Sequence, residues 1–162
     1  MLATVSGFNY GDEPYQQELA QWMAQDSIPA LLNGTKIWLY RNHAGEFVGY
    51  SSLGLTRWKY PDAASTKVTL VIVPAVAIRK QFWGKPSGPA EERYSSQIMR
   101  HLLAEAEAWP GKPPAIGLFV HPDNNAAAKL YERFGFQPFF HSYTDRVSGV
   151  VYRSLIRPIV HS

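Results

Sequence analysis

The sequence predicts a mixed α/β protein whose central sheet contains both parallel and antiparallel strands. Strand-like and helix-like segments alternate in the second half of the chain, which implies at least one parallel pair of strands. A turn-like Asn-His-Ala-Gly segment at 42–45 separates two strand-like runs, and two more such runs end the chain, so antiparallel hairpins are also expected. Hydrophobic residues make up 46% of the 162 residues and charged residues 18%, a balance that is typical of a globular domain.

The first half of the chain predicts one helix and several strands. Apolar residues recur at helical spacing from Glu13 to Gln25, after a start that contains acidic residues and a proline. Strands are predicted at Leu2–Ser6, Lys36–Arg41, Glu46–Leu55 and Lys67–Ile78. The last of these contains Pro74, which lacks an N–H group, so it is either an edge strand or a strand that bulges or parts from its neighbour.

The second half alternates between helices and strands. Helices are predicted at Tyr94–Trp109 and Asn124–Phe134, and strands at Ala115–Val120, Gln137–Tyr143 and Val150–Arg157. The long irregular stretch from Gly84 to Glu92 is too short for a domain linker and is interpreted as a functional loop.

Composition excludes several classes of site. The chain has no cysteine, which excludes a disulfide framework, a thiolate metal site and a cysteine nucleophile. We expect no signal peptide and no membrane span, hence a cytoplasmic protein. The net charge of +3 and the pI of about 9.2 suit an anionic cofactor, a nucleic acid or an ordinary basic surface.

The segment from Lys67 to Ser96 has the strand, loop and helix order that often holds phosphate groups. Gly84 allows close approach of the backbone, and the first turn of the helix offers N–H groups to an anion. Ser95 and Ser96 are candidate caps or phosphate contacts. An ordinary connection with a solvated basic rim stays equally open from these residues alone.

A second segment, Leu118 to Phe136, carries the most specific pattern. A strand ends at Val120, a helix follows, and Gly135 ends that helix. Spacings of three and four residues place Asn124, Ala127 and Tyr131 on one helical face. Ala127 would let a ligand approach this face closely, and Tyr131 would present a phenol there.

This segment resembles the second acetyl-CoA motif of the GNAT acetyltransferase superfamily. The pattern L-x-V-x-x-x-N-x-x-A-x-x-L-Y-x-x-x-G-F matches at Leu118, Val120, Asn124, Ala127, Leu130, Tyr131, Gly135 and Phe136. Upstream, Gln81 to Lys85 resembles the first motif, Q/R-x-x-G-x-G/A, with Pro86 in place of the second small residue and an insertion from about Pro86 to Glu92. The resemblance covers roughly Lys67 to Phe140.

The resemblance implies a GNAT-like fold, with about six to seven strands of mixed direction and about four helices in a single catalytic domain over 1–162. The fourth and fifth predicted strands would be splayed. It also implies an N-acetyltransferase in which an amine attacks the thioester of acetyl-CoA directly, with no metal. Tyr131 would be the general acid that protonates the leaving thiolate.

The resemblance further assigns the cofactor contacts. Backbone groups of Val76, Ala77 and Ile78 would meet the pantetheine, and Asn124 and Ala127 would lie against it. The pyrophosphate would be held by Gln81, Phe82, Trp83, Gly84 and Lys85, together with Ser95 and Ser96.

The base and the acceptor are less defined. The predicted strand Lys67–Ile78 carries no acid, so we expect deprotonation through water or a substrate that arrives neutral. Other candidate bases are His121, His141, Glu46 and Asp62. The expected acceptor is a small-molecule or protein amine. Five aromatic residues lie where the family builds its acceptor site, although strand packing also explains most of them: Trp38, Tyr40, Tyr50, Trp58 and Tyr60.

Other readings stay open. Short matches at 8–11 and 49–53 are similar to toxin-type members that acetylate aminoacyl-tRNA, so tRNA is the one nucleic acid kept as a partner. A non-catalytic acyl-CoA sensor module would tolerate the altered loop. A general nucleic-acid-binding domain rests on charge alone. An edge strand near the C-terminus would allow a homodimer.

Overall fold

The fold was obtained as a computed structural model that describes residues 5, 7–60, 62–86 and 92–161. Within these residues the chain forms four α-helices and seven strands. In chain order they are α1 (Pro14–Gln25), α2 (Ser27–Leu32), β1 (Lys36–Arg41), β2 (Phe47–Lys59), β3 (Lys67–Val73), β4 (Val76–Ile78), α3 (Tyr94–Glu107), β5 (Ala115–Val120), α4 (Asn125–Arg133), β6 (Gln137–Thr144) and β7 (Val151–Pro158). A short 3₁₀ helix, Lys80–Phe82, follows β4.

The strands form a sheet in the order β1-β2-β3-β5-β7-β6, and β4 pairs separately with β2. Strand β3 runs parallel to β5, whereas β5–β7 and β7–β6 are antiparallel. The predicted mixed α/β fold is therefore confirmed. The chain packs as two compact units, Met1–Gly54 with Ala75–Leu102, and Leu55–Pro74 with Leu103–Ser162. A single domain over 1–162 stays a prediction.

The first unit is built on the β1–β2 hairpin. The two strands pair from Lys36–Leu53 to Arg41–Phe47, with an irregularity after Tyr40. Helix α1 closes one face, because the hydroxyl of Tyr50 donates to the carbonyl of Leu19 at 2.6 Å and its ring stacks with Trp22. This core also contains Tyr10, Met23, Phe47, Ala75 and Ala77.

The second unit has its own apolar core around Trp58. This side chain is 2% exposed and packs with Leu70 and Ala115. The rings of Phe119 and Phe139 lie 5.3 and 5.5 Å from the Trp58 ring. Burial of such aromatic surface is the main source of stability in a sheet of this kind.

Pro74 divides the predicted strand Lys67–Ile78 into β3 and β4. Strand β3 lies between β2 and β5, and its ladder with β5 ends at Val73. After the proline, β4 pairs with β2 and has no ladder with β5 among the described residues. The expected parting of the strand from its neighbour is confirmed. Ser52 is fully buried, and its Oγ accepts from the Ala75 N–H at 3.0 Å and donates to the Ala75 carbonyl at 2.7 Å. Its hydroxyl thus satisfies the backbone where the proline interrupts the ladder.

Other differences from the predicted elements are local. Strand β2 continues to Lys59 instead of ending at Leu55. Helix α2 has no counterpart in the prediction. Apart from the buried Val5, the predicted strand Leu2–Ser6 lies outside the described residues.

Candidate active site

Strand β4 presents alternate peptide groups to its two sides. It pairs with β2 at Gly49–Ile78, Tyr50–Ala77 and Ser51–Val76, and the next N–H, that of Arg79, donates to Val48 at 2.8 Å. Hydrogen-bonded and non-bonded pairs alternate in an antiparallel ladder. The N–H and C=O groups of Ala77 therefore point toward β2, and the N–H and C=O groups of Val76 and Ile78 point away from it.

The outward carbonyl of Ile78 already has a partner. The indole Nε1 of Trp83 donates to this oxygen at 2.9 Å, and the Trp83 side chain is 42% exposed. A ligand strand that paired with Ile78 would have to displace or share this hydrogen bond.

The predicted phosphate loop follows β4 as a compact turn. Phe82 is largely buried, and its ring meets Tyr94 edge-on at 5.4 Å. The side chain of Gln81 accepts a hydrogen bond from Arg79 at 3.1 Å, whereas Lys85 is exposed. Gly84 has φ +67, and no atom lies within 4 Å of the position that a Cβ would take, so the loop backbone is open on that side.

The insertion leaves the start of α3 next to this loop. Residues 87–91 lie outside the described part of the chain, but an isolated antiparallel bridge pairs Pro86 with Arg93. The carbonyl of Arg93 accepts from the N–H groups of Ser96 and Gln97, so Ser95 and Ser96 lie in the first turn of α3 and do not precede it as caps. First-turn N–H groups and serine hydroxyls are suitable donors for an anion.

The segment Phe8–Asp12 fastens the phosphate loop from the other side. The carbonyl of Asn9 accepts from the Lys80 N–H at 2.8 Å, and Asp12 forms an ion pair with the Lys80 ammonium. This hydrogen bond from Lys80 lowers the pKa of Asp12. The guanidinium of Arg79 lies 4.1 Å from the centre of the Phe8 ring. The short 8–11 match to toxin-type members therefore has a structural role in this chain.

Helix α4 carries the predicted general acid. Tyr131 is 7% exposed, and burial raises the pKa of its phenol to about 12. Among the described residues this hydroxyl has no hydrogen-bond partner, and the ring meets Phe136 at 5.8 Å. A buried phenol that stays protonated at neutral pH is a suitable proton donor.

Asn124 begins α4 as its N-cap. Its Oδ1 accepts from the Ala127 N–H at 3.1 Å, so the side chain has a structural task as well as the predicted contact with pantetheine. The amide nitrogen of Asn124 remains as a donor. Ala127 is half-buried one turn along the helix.

Most of the candidate bases form hydrogen bonds within turns. Glu46 bonds to Asn42 in the β1–β2 turn, and Asp62 accepts from Thr66 at 2.6 Å, which lowers the pKa of Asp62. His121 has a side chain that is 14% exposed, and its Nδ1 accepts from the Asp123 N–H at 3.1 Å. The side chain of His141 lies outside the described residues.

The five aromatic residues named for the acceptor site separate into three environments. Tyr50 belongs to the first core, and Trp58, with Tyr60 near Phe139, belongs to the second. Trp38 and Tyr40 both contact the ring of His101. The Tyr40 hydroxyl also bonds to the buried Ser51 at 2.6 Å and to His101 at 2.8 Å, beside a pocket of ≈ 360 Å³. The sequence gives no sign of the roles of Ser51, Ser52 and His101, because their partners are distant in sequence; Ser51 and Ser52 stood out only as part of the 49–53 match.

Comparison with known proteins decides the family. Residues 4–136 match the acetyltransferase (GNAT) family. The chain belongs to this family. Its members are acetyltransferases, so membership implies acyltransferase activity for the GNAT domain described above.

Solved GNAT structures with low identity share the fold. A mutant of the toxin AtaT, bound to the C-terminus of the antitoxin AtaR and acetyl-CoA, is 14% identical, with a TM-score of 0.65 over 96% of this chain and 85% of that chain. AtaT complexed with acetyl-methionyl-tRNAfMet is 12% identical, with a TM-score of 0.62 over 95% and 86% of the two chains. A GNAT phosphinothricin acetyltransferase from Sinorhizobium meliloti, in complex with acetyl-CoA, is 14% identical, with a TM-score of 0.59 over 86% and 69%.

No curated protein sequence matches the chain. In the described part of the chain, no helix combines the length and apolar character needed to cross a membrane. The same residues contain no group of three histidine or acidic side chains arranged to hold a metal ion.

Proposed function

We propose that this protein is an N-acetyltransferase that moves the acetyl group of acetyl-CoA to a primary amine. The observation that carries the proposal is the buried phenol of Tyr131 on the same helix as Asn124 and Ala127, where burial raises its pKa and so keeps it protonated at neutral pH. The family match and the acetyl-CoA found with two of its structural neighbours support it.

In the proposed reaction a neutral amine nitrogen attacks the thioester carbonyl carbon. A C–N bond forms, the C–S bond breaks, and the sulfur leaves with the electron pair. Tyr131 donates its proton to that sulfur and regains one from solvent, while the proton lost by the amine passes to water. No side chain is assigned as the base.

The backbone of the first unit suits an extended ligand such as pantetheine. Val76 and Ile78 direct their peptide groups away from β2, so the proposed contacts narrow to these two residues, without Ala77. The open side of Gly84 and the first turn of α3, with Ser95 and Ser96, fit a pyrophosphate.

The proposed acceptor is an amine of a small molecule or a protein. Both segments that are similar to toxin-type members have structural tasks here, since 8–11 fastens the phosphate loop and Gly49 and Ser52 fit β4 to β2. They therefore give no independent support for an aminoacyl-tRNA acceptor.

Release of free CoA thiol tests the proposal directly. Because the chain has no cysteine, a thiol reagent reports CoA without background from the protein. We expect Tyr131→Phe to lower kcat by roughly two to four orders of magnitude, the usual contribution of a general acid, with acetyl-CoA affinity retained.

Tyr143→Phe is the matched control, since that ring is 48% exposed, and its turnover is expected to equal that of the wild type. The acceptor panel contains small amines, peptides and methionyl-tRNA. Binding of acetyl-CoA without turnover on any of them would favour the sensor module, and turnover with methionyl-tRNA alone would favour the toxin-type acceptor.

A further inference from the structure

The side chain of Ser52 takes the place of the backbone hydrogen bonds of the β-ladder at Ala75, just before β4 begins. Its Oγ lies 3.0 Å from the Ala75 nitrogen and 2.7 Å from the Ala75 oxygen, so one hydroxyl satisfies both peptide groups of a single residue. Ser52 is 0% exposed and Ala75 is 6% exposed, and water therefore does not offer a substitute. Of the small side chains, only a hydroxyl both donates and accepts well enough for this arrangement.

A second contact fixes the same strand a few residues later. A Cβ on Gly49 would lie 2.2 Å from the Ala77 carbonyl oxygen, which shows that β2 and β4 approach each other more closely than a side chain permits. The hydroxyl of Ser52 and the close approach at Gly49 together hold the three residues of β4 in a single register with β2. That register decides that Val76 and Ile78 present their peptide groups outward.

We infer that Ser52 is a positioning residue for acetyl-CoA binding. It acts through β4: its hydroxyl holds Ala75 after Pro74 and thereby sets the outward peptide groups of Val76 and Ile78. The inference rests on the proposed function for its ligand, but the state of β4 itself is measurable without any ligand. A purely stabilising role would lower stability and leave acetyl-CoA affinity unchanged.

The experiment compares Ser52→Ala with Ser154→Ala. Ser154 is a matched control, since it is 2% exposed and its hydroxyl also donates to a backbone carbonyl, that of Phe139, at 3.1 Å. Acetyl-CoA affinity is measured by calorimetry at a temperature at which all variants are folded. Hydrogen exchange of the Ala77 and Arg79 amides, which donate to β2, is measured on the same proteins without ligand.

We expect Ser52→Ala to weaken acetyl-CoA binding by about tenfold or more, the equivalent of at least one lost hydrogen bond. Exchange in β4 should become faster in this variant. Ser154→Ala should lose stability with unchanged affinity and unchanged exchange in β4. Ser52→Thr keeps the hydroxyl and should restore affinity even where its extra methyl group lowers stability.

Equal affinity and equal β4 exchange in wild type and Ser52→Ala would overturn the inference. If the wild type binds no acetyl-CoA, the proposed function fails, and β4 exchange alone then decides whether Ser52 positions the strand. If Ser52→Ala does not fold, Ser52→Cys takes its place, because a thiol is a weak donor and acceptor and should give the same pattern in milder form.

Discussion

At the scale of single residues, Trp83 has a different contact in the structure from the one that the phosphate-loop motif predicts. The sequence places it within a Gln-x-x-Gly pattern and suggests a contact with the cofactor. In the structure its indole instead donates to the Ile78 carbonyl, one of the groups proposed for pantetheine. Trp83 is therefore a competitor for the β4 edge in the free protein.

Replacing Trp83 by phenylalanine should remove this competition. The variant keeps an aromatic ring but lacks the N–H group, so the Ile78 carbonyl becomes available to ligand. We expect Trp83→Phe to bind acetyl-CoA as tightly as wild type or up to roughly tenfold more tightly, the value of about one hydrogen bond. Calorimetry measures this, and a clear loss of affinity would show that the indole itself contacts the cofactor.

At the scale of elements, α4 depends on Asn124 in two separable ways. The cap to Ala127 stabilises the helix through the side-chain oxygen, whereas a contact with pantetheine would use the remaining amide donor. The two tasks can be distinguished because serine retains the first and lacks the amide.

For Asn124→Ala we expect a loss of stability of about 1 kcal/mol together with weaker acetyl-CoA binding. For Asn124→Ser we expect near-normal stability and the same loss of affinity, since serine is also a good N-cap. Urea unfolding and calorimetry give the two quantities. Normal affinity in both variants would limit Asn124 to capping.

A comparison of the predicted and observed helices and strands shows which elements the sequence alone can predict. The pattern from Leu118 to Phe136 predicted β5 and α4 to within one residue at each helix end, because their signals lie within a few consecutive turns. Helix α2 escaped prediction because it has only six residues, too few for an apolar period to repeat, and because its Pro29 usually marks a break in a helix.

The parts of the site that could not be predicted depend on distant partners. Ser52 and Ala75 are 23 residues apart, and Asp12 and Lys80 are 68 residues apart. No local periodicity encodes such pairs. Pro74 predicts that the strand is interrupted, but only the fold shows that the Ser52 side chain forms the hydrogen bonds to the backbone at this point.

At the scale of the whole molecule, buried tyrosines link stability to alkaline pH. Burial raises the pKa of Tyr10, Tyr50 and Tyr131 above the usual value of 10.0, that of Tyr131 to about 12. Tyr10 and Tyr50 donate their hydroxyl protons to backbone carbonyls. These phenols therefore stay protonated in the folded chain at pH values where the unfolded chain has lost those protons.

The folded state then binds more protons above about pH 10, so its stability should fall as the pH rises through this range. Each such tyrosine contributes a slope of about 1.4 kcal/mol per pH unit until its folded pKa is reached. We expect Tyr131→Phe to reduce the slope between about pH 10 and 12. Urea unfolding followed across this range measures it, and a flat profile in the wild type would contradict the burial of these groups.

The segment Phe8–Asp12 has a consequence for how such chains are compared. It serves the loop that would receive the donor of the acetyl group, through Asn9, Asp12 and Phe8. These contacts explain the residues at 8–11 of this chain by their place beside the loop, so their similarity to toxin-type members is by itself no evidence for the acceptor.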